Sequence, residues 1–185
     1  MLAPMRIPET KPETELIDGR LVQKMSPKLR HQALEKRWVS ALDAWADGRG
    51  EAFGEWRHEF QAPGHSFASL VPDVAYMSYA ARAELGPAAS EAPPRAPEIA
   101  VEILSAGESE RNLAWKIGAY LAAGTQVLFV VDPPRRTVIS YARPARGSEP
   151  SSAARFGPGD TVTHHSMPGF AYEIDAMFEG LYLGD

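Results

Sequence analysis

Residues 98–132 read EIAVEILSAGESERNLAWKIGAYLAAGTQVLFVVD, and their patterning decides the fold class. Glu98 to Leu104 is an apolar, β-branched run of the kind that forms a buried strand. Glu108 to Ala123 follows as a helix, with Leu113, Ile117, Tyr120 and Leu121 on one stripe and Gly124 as its stop. Val127 to Val131 is a second apolar strand, ending at Asp132-Pro133. Thr137 to Tyr141 pairs with it through the PPRR turn. A strand–helix–strand–strand unit calls for an α/β domain with a mixed central sheet flanked by helices.

Working outward, ELIDGRLVQKM (15–25) reads as an N-terminal hairpin turning at Asp18-Gly19. Ser26-Pro27 looks like a cap and first residue for a long helix that stops at Gly48. Its stripe is Leu34, Trp38, Ala41, Leu42 and Trp45, with His31 on the stripe and Glu35 at its edge. Glu51 to Phe60 and Leu70 to Tyr79 are each expected to form one strand. A short helix over 80–85 and a Pro/Ala-rich loop over 86–97 complete the middle of the chain. A loop over 143–158, a strand over 160–165 and a short helix over 175–178 close it. Residues 1–13 read as an arm and 14–185 as a single domain.

The chain has 185 residues, 44% hydrophobic and 23% charged, enough for one well-buried core. Its net charge of -5 excludes binding nucleic acid by bulk charge but leaves room for a local basic cleft. No cysteine is present, which excludes disulfides, thiolate metal sites and cysteine nucleophiles and fits a reducing cytoplasm. No signal peptide and no membrane span is expected.

Two carboxylates stand out. Glu102 lies in the middle of EIAVEIL, where an unpaired charge costs several kcal/mol in order of magnitude. A salt bridge or a solvent-open strand end would also satisfy it. Asp73, after Pro72, is flanked by apolar residues; Pro-Asp is equally a turn signal. Two acids on successive strands can converge on one face of a sheet, where oxygen ligands suit Mg²⁺ or Mn²⁺. Relief of repulsion between them would let Asp73→Asn leave the fold intact or even stabilise it. Lys116 sits at the edge of the second helix's stripe, where a snorkelling lysine is the ordinary reading. His164 and His165, adjacent on an expected strand, would face opposite sides and share no metal. Arg135-Arg136 reads as a solvated hairpin tip, and Trp115 as an exposed residue suited to an oligomer contact.

In order and spacing, ELIDGRLVQKMSP, RHQ, VPDVAYM, PEIAVEILS, LAWKIGAYLAAG, VLFVVDPPRRTVISY and MPGF resemble the Uma-type restriction endonucleases of the PD-(D/E)XK nuclease superfamily. The resemblance spans roughly residues 14–180. It implies a restriction-endonuclease-like fold and a metal-dependent phosphodiesterase. Asp73 matches the family's PD aspartate, Glu102 the acid of its E-x-L-S strand and Lys116 the lysine of its next helix. Asp73, Glu102 and the backbone carbonyl of Ile103 would bind Mg²⁺ (or Mn²⁺). Glu15, His31 and Glu35 are accessory candidates.

Three departures stand out. The superfamily lysine normally lies two residues after the strand acid, where this chain has Leu104, so its role passes to Lys116. An acid often found four before the helix lysine is Asn112 here, and Ser105-Ala106-Gly107 stands where Ser-Pro is usual. The expected protein is a Mg²⁺-dependent endonuclease acting on nucleic acid, DNA first, as a cytoplasmic homodimer without membrane contact. Its rival is a nuclease-fold module that binds nucleic acid or protein without cutting, which the acidic charge favours slightly. A small-molecule metallohydrolase would need a closed apolar pocket.

Overall fold

The computed structural model describes residues 7–142 and 153–181. The hairpin forms where Asp18-Gly19 predicts it. Strand β1 (Thr14–Ile17) pairs with β2 (Arg20–Gln23), and both turn residues have positive φ, 51° and 72°. A two-residue hairpin turn whose twist matches its strands needs that conformation at both positions. The long helix α1 (Leu29–Ala46) follows, then β3 (Gly50–Gly54), β4 (His58–Gln61), β5 (Phe67–Leu70) and β6 (Val74–Ser78). Helices α2 (Tyr79–Leu85) and α3 (Pro87–Glu91) lead to β7 (Ile99–Ile103), α4 (Glu110–Ala123), β8 (Val127–Asp132) and β9 (Thr137–Ala142). The chain ends in β10 (Ala153–Phe156), β11 (Thr161–Val162), β12 (Tyr172–Glu173) and α5 (Ile174–Phe178).

Six strands make the central sheet in the order β10-β9-β8-β7-β6-β3, with β7 and β8 parallel and the other pairs antiparallel. A second sheet, β2-β1-β5-β4, is antiparallel. Alternation sorts the core. Val74, Tyr76, Val101, Ile103, Phe129 and Val131 face α1 and pack on Leu34, Trp38 and Leu42. Ala100, Leu128 and Val130 face the other way, onto Ala119 and Tyr120 of α4 and Ile17, Phe60 and Leu70 of the small sheet. The domain is therefore α1, central sheet, then a layer shared by α4 and the small sheet.

Both long strands expected upstream are broken. Leu70–Tyr79 divides at Val71–Asp73: β5 belongs to the small sheet and β6 to the central one. Pro72 has no N–H for a ladder, so the chain leaves one sheet there and enters the other. Residues 51–60 divide likewise into β3 and β4, with Glu55 at φ 49° in the turn.

Several other boundaries move. Ser26, forced toward extended backbone by Pro27, stays outside α1, whose N-cap is Lys28 with no side-chain cap bond. A one-turn helix, α3, occupies part of the 86–97 loop. Residues 153–156 of the expected 143–158 loop are the edge strand β10, with Phe156 packed on the core; residues 143–152 lie outside the described part. The 160–165 strand shrinks to Thr161–Val162, and the rings of His164 and His165 stack 4.3 Å apart in the turn after it. Trp115 is half-buried, edge-on to His65 at 5.5 Å, rather than exposed. Part of the arm is tied down, since Glu13 meets Arg57 at 2.8 Å. No helix among the described residues is long and apolar enough to cross a membrane.

His58 opens β4 fully buried, its Nδ1–H donating to the Arg95 carbonyl at 2.9 Å. Burial pushes its pKa down to about 4, against that hydrogen bond. Unfolded histidine titrates near 6.5, so between these values the unfolded chain binds more protons and stability falls as pH falls. His58→Gln is expected to remove about 2–3 kcal/mol of the stability lost between pH 7.5 and 4.5, read by urea unfolding at both pH values. Identical pH slopes in the two proteins would contradict a buried neutral His58.

Candidate active site

The Pro72 break delivers Asp73 to the site. The last ladder pair of β6 and β7 is Val74–Val101, and one step further the register sets Asp73 beside Glu102. Both fall on the sheet face of Ala75 and Ala100, away from α1, and both are buried. Asp73 Oδ2 accepts the Ile103 N–H at 2.6 Å. Its Oδ1 meets Lys24 Nζ at 2.7 Å and His31 Nε2 at 3.1 Å. Ile103 thus touches the site through its N–H, whereas the sequence reading invoked its carbonyl.

Glu102 is held from α4. Lys116 Nζ lies 2.6 Å from Glu102 Oε2 and 3.3 Å from Glu15 Oε2. One turn on, the Tyr120 hydroxyl donates to Glu102 Oε1 at 3.1 Å. Glu15 Oε1 accepts the Val71 N–H at 2.8 Å, which fastens β1 to the strand break. Lys24, just past β2, also donates to the Val71 carbonyl at 2.8 Å. His31 reaches Ser105 Oγ with Nδ1 at 3.3 Å. Two linked rows result: Lys24–Asp73–His31–Ser105 and Glu15–Lys116–Glu102–Tyr120. Glu35 lies one turn after His31, its carboxylate so close to Gly54 that a side chain there would collide with it.

A model of the Uma2 family, described as "Putative restriction endonuclease", matches residues 4–176. The chain belongs to the Uma2 family. Its structure is similar to a crystal structure described as "a putative nuclease belonging to DUF820" from Anabaena variabilis, with TM-score 0.77 and 27% identity over 92% of both chains. No match is found among curated proteins. The restriction-endonuclease-like α/β fold expected from the sequence is the one observed.

In this Uma2 chain Leu104 packs against the second core, and the ammonium beside Glu102 comes from α4 instead. Lys24 and Tyr120 are site residues that the sequence reading passed over. Lys24 alternates with Val22, whose side chain packs on the second core, so strand parity carried a signal for it. Tyr120 was read as part of an apolar stripe, yet a buried tyrosine hydroxyl needs a partner.

Three buried carboxylates, Glu15, Asp73 and Glu102, face two lysines and one histidine. Burial alone would raise the Asp73 pKa, but Lys24 and His31 hold it well below the usual carboxylate range. Burial pushes Glu102 up, and Glu15 and Asp73 push the same way against Lys116. Lys116 stays protonated despite its burial, because Glu102 and Glu15 hold its pKa above the ordinary lysine value. We read Glu102–Lys116 as an ion pair, on its 2.6 Å contact, with the rise at Glu102 coming first from burial and then from Glu15 and Asp73. Burial, then the charges of Asp73 and Glu55, also raises Glu35.

This cluster bears on a metal. Among the described residues no group of three or more His, Asp or Glu side chains is arranged to hold one unaided. Mg²⁺ asks for less: one or two carboxylates, with water and phosphate completing its shell. The carboxylate oxygens of Asp73 and Glu102 are hard donors of the kind such an ion takes, and these two groups could hold it.

The expected stabilisation by Asp73→Asn does not suit this geometry, since the carboxylate is paired rather than repelled. The variant leaves Lys24 buried without its counter-charge and should lose about 1.5–3 kcal/mol at pH 7 in urea unfolding. With the native pKa depressed, this contribution is full above the unfolded aspartate value near 3.9 and fades as pH falls below it. The gap between the two proteins should therefore shrink under about pH 4, as Asp73 protonates, and shrink again above about pH 6.5, where His31 loses the proton whose binding Asp73 favours. Equal stability at pH 7 would contradict the pairing.

Proposed function

We propose that this chain is a metal-dependent endonuclease that hydrolyses phosphodiester bonds, with DNA as substrate. The observation that carries the reading is the Lys116 ammonium, 2.6 Å from Glu102, in a buried acidic site beside Asp73. Family membership and the nuclease-described structural neighbour support it. Asp73 and Glu102 would hold Mg²⁺ or Mn²⁺, which supplies Lewis-acid stabilisation of charge on the phosphate. Lys116 is protonated, so it would serve as a fixed cation for the oxygens of the pentacoordinate phosphorus and a donor to the attacking water, and not as a base. Tyr120 holds Glu102 by its second oxygen, and Lys24 and His31 orient Asp73. A cytoplasmic homodimer is the form in which this reading expects the protein to work.

A second reading has its own observation. Asp73 is already paired with Lys24 and His31, and Glu102 with Lys116, as in a nuclease fold that binds without cutting. Plasmid nicking decides between them. The purified protein should nick DNA with Mg²⁺ or Mn²⁺ and stop with a chelator, and Asp73→Asn should abolish nicking in samples kept well below their melting temperature. Lys116→Ala should lower turnover by about 10²–10⁴ with little change in the Mg²⁺ concentration required, since lysine is not a ligand. Full activity in Lys116→Ala would remove its catalytic role. A folded wild type that binds DNA and never cuts it would establish the binding module.

A further inference from the structure

Beside the carboxylate cluster lies a cleft of about 740 Å³, open at the carboxyl ends of β7 and β8. These are the one parallel pair in the central sheet, and α/β sheets bind ligands at that end of their parallel strands. One wall is Leu104, Ser105 and Ala106 after β7, and the next is Asp132 to Arg135 after β8. Residues 25–31, from the hairpin exit into α1, form the third. His31 belongs to both places: it lines the cleft and touches Asp73 at 3.1 Å.

The cleft reverses the charge of the molecule. The chain carries -5 overall, yet among the described residues Lys28, Arg135 and His31, with Arg30 beside them donating to the Leu181 carbonyl, line the cleft with one carboxylate, Asp132. Arg135 pairs with Asp132 at 2.6 Å, but its side chain is 74% exposed, and so open a pair holds it weakly. The N-terminal end of α1 lines the same cleft with no side-chain cap and no acid in its first turn, so its N–H groups add to the positive end. Between the cations the walls are apolar. Met25 and Leu29 are 60% and 81% exposed, and Leu104, Pro133 and Leu181 continue the surface.

Duplex DNA presents phosphate to a protein and hides its base faces in the stack. Apolar walls between cations match a strand that offers both phosphates and open bases. We propose that this cleft holds a single nucleic-acid strand with unpaired bases, its phosphates on Lys28 and Arg135 and its bases against Met25 and Leu29, running in to Asp73. The inference rests on the nuclease reading of the adjacent site and names the form of its substrate.

Binding is measured by fluorescence anisotropy of a short fluorescein-labelled DNA oligonucleotide of mixed sequence, single-stranded or annealed, in chelator. Cutting plays no part there, so a wild type that binds but never nicks would remove the nuclease reading alone. The single strand should bind tighter than the duplex. Lys28→Glu with Arg135→Glu should weaken it on the order of tenfold or more and lower the salt slope by about one per cation lost. Leu29→Ser with Met25→Ser should weaken it about threefold or more with the salt slope unchanged. Lys36→Glu, two turns further along α1 and outside the cleft, is the control and should bind as wild type. Preference for the duplex, or binding untouched by the cleft variants while nicking persists, would overturn the cleft assignment and leave the nuclease reading standing.

Discussion

Three carboxylates buried at one junction between two sheets cannot stand without counter-charge, and most of the architecture answers that demand. An isolated buried charge costs several kcal/mol even after relaxation, and loss of one partner of a buried pair is strongly destabilising. Glu15 comes from the hairpin, Asp73 from the crossing between sheets and Glu102 from the central strand β7. Their partners arrive from elsewhere: Lys24 after the hairpin, His31 from α1, Lys116 and Tyr120 from α4. The ion pairs join elements up to 101 residues apart in sequence. The same contacts that make the site electrostatically tolerable hold the small sheet and α4 against the central sheet.

Backbone chemistry sets where those charges fall. Pro72 ends one ladder, and Asp73 lies in the short gap before the next, its carboxylate taking up the Ile103 N–H. Val71 is secured on both sides, its N–H by Glu15 and its carbonyl by Lys24. Both backbone groups of Val71 are thus satisfied by site residues, and the Asp73 carbonyl accepts the Glu55 N–H at 3.3 Å. A similar economy protects the outer edge of β3, where Asp43 of α1 accepts the Ala52 N–H at 2.8 Å and blunts an edge open to pairing.

Charge is distributed on two scales. Acidic residues outnumber basic ones over the whole chain and are matched by cations in the buried cluster, while further cations line the neighbouring cleft. An acidic surface discourages indiscriminate contact with nucleic acid, and a local cationic track confines attraction to one approach. Under the proposed function His31 stands at the boundary, one nitrogen on Asp73 and the ring open to the cleft.

The sequence by itself determined the element types of the 98–142 unit, the hairpin and α1, because these rest on local rules: apolar runs, helical stripes and a turn that needs positive φ. It also marked Asp73 and Glu102, since charges in apolar runs are costly wherever they fold, whereas Lys116 stood out only through the family resemblance, its spacing fitting a snorkelling lysine. Only the tertiary structure decided that the 70–79 run is two strands in different sheets, because Pro72 can end a ladder or sit on an edge and no local rule chooses. It decided too that Lys24 is a partner of Asp73 and Tyr120 a partner of Glu102. A lysine in a hairpin and a tyrosine in an apolar stripe acquire those partners only when elements far apart in sequence are packed together, a non-local event that periodicity does not encode.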